Sequence, residues 1–206
     1  MNELLPAWQR AWSLAGLAEP PRAVFDALCA AYAEPQRRYH TLQHLSECLA
    51  QADEIERLAE HPGEVLLALW FHDAIYDIPG RSNEARSADW AREVITQAGS
   101  AEAAARVHRL VMMTEHHAVP DTLDAQVMVD VDLSILGADA GRFDEYERQV
   151  RDEYRHVPMF IYRRKRREVL QGFLDRPQMF NTEVYRSRLE SRARENLRRS
   201  IAQLSG

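Results

Sequence analysis

The sequence predicts an all-α protein, a single compact multi-helix bundle, and three observations carry that reading. Nearly every segment repeats its apolar residues at intervals of three and four, and no alternating stretch is long enough to make a strand. The runs are separated by breaks such as Pro35, Pro62-Gly63 and Gly137. At 206 residues with 46% hydrophobic and 28% charged side chains, the chain has the composition of one ordinary globular domain with a sizeable core.

The elements follow in order. Leu4 to Leu17 form an amphipathic helix on Leu4, Leu5, Trp8, Trp12 and Leu14. Pro20-Pro21 opens a second helix, through Val24, Phe25, Leu28 and Tyr32, which Pro35 ends. A third starts near Tyr39-His40-Thr41 and runs to about Glu60. Val65 to Ile78, VLLALWFHDAIYDI, is apolar around its whole circumference and reads as a helix through the middle of the fold. Ser82 or Asn83 is the expected N-cap for Glu84 to Ala98, and Ala101 to about Glu115 follows after Gly99-Ser100. Leu123 to Leu136 is again strongly apolar, and Asp139 to His156, Met159 to Leu174 and Val184 to Leu204 complete the set.

Composition narrows the function. A net charge of −6 argues against a surface devoted to nucleic acid and favours a small-molecule role. Cys29 and Cys48 are the only cysteines, each inside a helical apolar pattern, and read as reduced packing residues rather than a disulfide. The N-terminus lacks a basic-then-apolar signal architecture, and no apolar run approaches the roughly 20 residues of a membrane span. The expectation is a cytoplasmic protein with no membrane partner.

The carboxylates inside the apolar helices point to chemistry. An ionised Asp73 or Asp132 left unpaired in an apolar interior costs at least several kcal/mol, so each needs an Arg, a hydrogen-bond cluster or a metal ion. Candidate partners are His40 and His44, four apart on a predicted helix and hence on one face, His72 beside Asp73, and His116-His117 after Glu115. Two carboxylates with two or more imidazoles make a mixed nitrogen and oxygen donor set, better suited to octahedral Mn, Fe, Co, Ni or Mg than to tetrahedral zinc. For any one of these residues a satisfied core position is the alternative.

YHTLQH (Tyr39 to His44) resembles the Tyr-His-x-x-x-His helix of cyclic-nucleotide phosphodiesterases, and Asp132-Leu133-Ser134 resembles their terminal metal-aspartate segment. More broadly, RRYHTLQHL, WFHDAIYD, NEARSA, MTEHH, DVDLSILG, RDEY and ARENL, spanning Arg37 to Leu197, resemble the uncharacterised bacterial group of predicted metal-dependent HD phosphohydrolases. That resemblance implies an all-helical fold, with a metal-site core over about 37–136 on which helices 139–204 pack, and hydrolysis of a small phosphoester, a nucleotide among the candidates. It implies His44, His72, Asp73 and Asp132 as ligands of one or two divalent ions, with no further ligand matched. His40 falls at the position of the acid that protonates the leaving group, or of a merely orienting His. His117 takes a position that binds a second metal or phosphate. Asp130 either orients a ligand imidazole or pairs with an Arg, and Glu84 is a general acid or base, or only a carboxylate favoured by a helix N-terminus.

Four cations are candidate phosphate clamps, Arg37, Arg38, Arg151 and Lys165, each with a solvated or salt-bridged alternative. The run YRRKRR (Tyr162 to Arg167) either holds RNA or forms the polar face of a helix whose Ile161, Val169, Leu170 and Phe173 point inward. Trp70, Phe71, Tyr76 and Met112-Met113 either line a base pocket or pack the core. A non-catalytic nucleotide-sensing or RNA-binding module is the competing class, and the last helix could pair two copies as a homodimer.

Overall fold

The computed structural model describes residues 2–78, 80, 82–115 and 120–205, and at 2 and 52–54 the backbone alone. All regular structure among the described residues is helical. The chain divides into two compact units, residues 1–132 and 133–206.

In the first unit, α5 (Pro62–Phe71) is the axis, with every residue from Gly63 to Phe71 buried. Around it lie α1 (Leu5–Leu14), α3 (Leu42–Leu49), α4 (Ala52–Leu58), α6 (Asn83–Gln97), α7 (Ala101–Met112) and α8 (Leu123–Asp132), while α2 (Arg22–Tyr32) adds Phe25 to the core. An apolar helix needs cover on all sides, because any face left wet forfeits its hydrophobic stabilisation. Trp8, Phe25, Trp70 and Phe71 meet at centroid distances of 5.2–6.2 Å in tilted and edge-on pairs. Trp70 and Phe71 therefore pack the core and do not line a base pocket.

Two anchors fix α5. A Cβ at Gly63 would lie 2.1 Å from the Ala15 backbone nitrogen, so only glycine lets the end of α1 approach this closely. Asp124 of α8 accepts from the backbone N–H groups of Glu60 (2.7 Å) and His61 (3.1 Å) and pairs with His61 Nδ1 (2.8 Å), capping the chain just before α5.

Three expected helices end differently. The run from Tyr39 to Glu60 breaks at Ala50-Gln51 into α3 and α4, because Ile55 stands six residues after Leu49, about 240° round a straight helix, and only a turn brings both inward. Residues 65–78 are not one helix: α5 stops at Phe71 and the chain turns through His72–Ile75. The expected helix over 123–136 stays α-helical only to Asp132.

In the second unit, a 3-10 segment (Leu133–Gly137) precedes α9 (Ala140–Glu153), α10 (Met159–Leu174) and α11 (Glu183–Ser205). Gly137 lets the segment sit against Leu189 of α11, where a Cβ would come within 2.7 Å of the leucine Cβ. Asn196 Nδ2 donates to the carbonyls of Leu136 and Ala138 at 2.9 Å. Only Tyr162 and Leu170 of α10 are buried, and Val169 is 49% exposed. The inward stripe is thus Tyr162, Arg166 and Leu170 at i, i+4 and i+8, which corrects the expectation for Val169. Turning the largely covered side chain of Arg166 inward is tolerable because it pairs with Glu147, which also accepts from Ser200 Oγ at 2.7 Å.

Candidate metal centre

The candidate site gathers at the C-terminal end of α5, where His72 is the C-cap residue. His72 still donates its N–H to the Ala68 carbonyl in helical fashion, and its Nε2 lies 3.0 Å from Asp73 Oδ2. Phe71 and the rest of α5 hold the turn from one side. From the other, α3 presents His44, its first turn capped by Thr41 Oγ1, which accepts from Gln43 N–H. Asp132 arrives at the end of α8.

Four donor atoms therefore gather within the first unit. Nε2 of His44 and Nε2 of His72 stand 3.1 Å apart. Asp132 Oδ1 lies 3.3 Å from the first nitrogen and 3.6 Å from the second, and Asp73 Oδ2 lies 3.6 and 3.0 Å from them. The ligand atoms of His44, His72 and Asp132 all lie within 4.8 Å of one another, and Asp73 joins through its contacts to both imidazoles. Ligand atoms about 2.1 Å from one ion are separated by about 3.0 Å at right angles and about 3.4 Å in a tetrahedron, so these spacings suit a shared cation.

The tautomers point the same way. His72 Nδ1 lies 2.8 Å from the Leu69 carbonyl, which can only accept, so Nδ1 carries a proton and Nε2 is the nitrogen that faces His44. Two imidazole nitrogens facing each other need a proton or a cation between them. Both rings are buried, whereas the carboxylates keep 18% and 14% exposure, so the cluster opens to solvent on its acidic side.

Electrostatics follow from the crowding. Burial works against a charged His72, but the Asp73 charge and hydrogen bonds to Asp132 and Asp73 outweigh it and raise its pKa well above the usual value. For Asp73 burial likewise opposes the charged form, yet the charges of His72, His40 and His44 hold the carboxyl far below its usual range. Cys48, whose sulfur lies 3.8 Å from His44 Nδ1, is pushed well up by burial and by the charges of Asp132 and Asp73.

His40 behaves differently from its expected placement. It precedes the Thr41 cap, so it does not share a helix face with His44; the two rings are 6.1 Å apart, and His40 stacks on Tyr76 at 4.0 Å. Asp130 is completely buried in α8. Glu84 is half-buried in the first turn of α6, and neither it nor Asp130 is among the four converging donors. His116 and His117 lie outside the described residues.

The proposed phosphate clamps are engaged elsewhere. Arg37 is 2% exposed and binds backbone carbonyls, which removes it from the clamps: a buried guanidinium with its donors so occupied cannot also take phosphate. Arg38 is exposed and donates to the Pro35 and Arg37 carbonyls. In the second unit, Arg151 donates to Tyr154 and Val157 carbonyls and lies over the Tyr162 ring, while Lys165 pairs with Glu168 at 2.8 Å. Cys48 is a free, buried residue as its apolar pattern predicts, but its contact with His44 was not read, although a spacing of four put both on one face of α3. The sequence reading also missed the stacking of His40 on Tyr76, for which no local signal exists.

No protein-family model, curated protein or solved structure matches the chain. No helix among the described residues is long and apolar enough to cross a membrane.

Proposed function

We propose that this chain is a divalent-metal-dependent hydrolase of small phosphoesters, nucleotides first among them, acting in the cytoplasm. The observation that carries the reading is the 3.1 Å approach of two buried imidazole nitrogens with a carboxylate oxygen of Asp73 and one of Asp132 each within 3.6 Å of both. His44, His72, Asp73 and Asp132 would hold the ion, and the mixed donors favour Mn, Fe, Co, Ni or Mg. A bound divalent ion would polarise a phosphoryl oxygen and acidify a water. The resemblance of the motifs to HD phosphohydrolases supports the same reaction class. His40, half-buried and held against Tyr76, carries the proton for the departing alkoxide. The exposure of the two carboxylates leaves a route for an anionic substrate.

The test is elemental analysis of purified protein joined to a screen of phosphomonoesters, phosphodiesters and nucleotides with each metal added back. Stoichiometric metal with turnover of at least one substrate class is expected. Metal without turnover, together with nucleotide-dependent melting, would replace the enzyme by a sensing module. A protein that takes up no divalent ion would remove the reading altogether.

A further inference from the structure

We propose that Arg37 is the positioning residue of the metal centre: it sets the separation between the segment that carries His40 and His44 and the turn that carries His72 and Asp73, and metal affinity depends on it. This inference rests on the metal reading above. A buried arginine is costly unless its donors are satisfied, so the identity of its acceptors shows what the charge holds in place. Nη1 donates to the His40 carbonyl at 3.2 Å and to the Asp73 carbonyl at 2.6 Å; Nη2 donates to the Ala74 carbonyl at 3.0 Å. Nε donates to Glu34 at 3.1 Å. The guanidinium thus grips both donor-bearing segments through their backbones, and its Cζ lies 5.3 Å from the Tyr32 ring centroid and 5.5 Å from that of Tyr76. Tyr32 closes the arrangement, donating to the Trp70 carbonyl at 3.2 Å and accepting from Asp73 N–H at 3.3 Å. Lysine cannot reproduce this, because an ammonium lacks the planar fork that reaches three carbonyls at once.

The experiment titrates chelator-stripped, full-length protein with Co²⁺, following both heat and the visible ligand-field spectrum. Wild type, Arg37→Lys and Arg37→Met are compared with Arg106→Met, in which a partly exposed arginine loses its ion pair to the buried Glu64 away from the cluster. Arg37→Lys should lose about tenfold and Arg37→Met up to about a hundredfold in Co²⁺ affinity, with altered spectra. Arg106→Met should melt earlier yet keep wild-type affinity and spectrum. Should Arg37→Met not fold, Arg37→Lys alone decides. Wild-type Co²⁺ binding by the folded Arg37 variants overturns this inference while leaving the metal centre standing; a wild-type protein that binds no Co²⁺ overturns the centre itself.

Discussion

His40 and Tyr76 stack face to face, with ring centroids 4.0 Å apart and planes inclined by 27°, although 36 residues of sequence separate them. Tyr39 meets the same imidazole edge-on at 4.9 Å. A ring held by two aromatic neighbours points one way, which suits a proton donor better than a mobile surface histidine. Tyr76→Leu should therefore lower turnover of an alkyl phosphoester about 10- to 100-fold, within the usual contribution of general acid catalysis. On a p-nitrophenyl ester, whose leaving group needs no proton, the loss should be small. Equal losses on both substrates would remove His40 from the acid role.

Asp73 contacts both imidazoles and keeps some exposure to solvent, so on the proposed reading its charge would help hold the ion. Asp73→Ala should abolish hydrolysis and bound metal together, measured by phosphate release and elemental analysis on the same sample. Unchanged turnover in that variant would discard the site.

Gly63 tests the fold independently of any chemistry. A Cβ there meets backbone atoms of Leu14 and Ala15 at 2.5 and 2.1 Å, and backbone cannot swing aside as a side chain can. Gly63→Ala should cost about 3 kcal/mol by forcing α1 from α5, read by urea denaturation. A cost below about 1 kcal/mol would mean that α1 packs less closely than described.

In the second unit, burial and the Glu147 charge raise Tyr162 to about 12 despite the nearby Arg166 and Arg151. Below about pH 10 the phenol is neutral in both folded and unfolded chains and contributes no pH dependence. Between about 10 and 12 the unfolded chain releases its proton and the folded one does not, so stability falls as pH rises. Tyr162→Phe should flatten that limb of the melting profile, and an unchanged slope would contradict the burial.

Much of the helical layout was legible in the sequence, because apolar spacing and breaks at Gly and Pro act within a few residues. The reading of Met159 to Leu174 coincides with α10, and Val184 to Leu204 falls within one residue of α11 at each end. His44, His72, Asp73 and Asp132 were legible as candidates, since polar groups in apolar runs advertise a need for partners. The ends of helices were less so. The stop after Phe71 carries no proline or glycine to mark it.

The sequence by itself thus determined an all-helical chain and the residues whose burial calls for a counter-charge. Only the tertiary structure decided that His44 and His72 face each other, that His40 turns to Tyr76, and that Arg37 braces two turns instead of greeting a substrate. The physical reason is one of range. Periodicity tells which face of a helix seeks cover, whereas the choice of neighbour is made by close packing and hydrogen bonding between segments far apart in the chain.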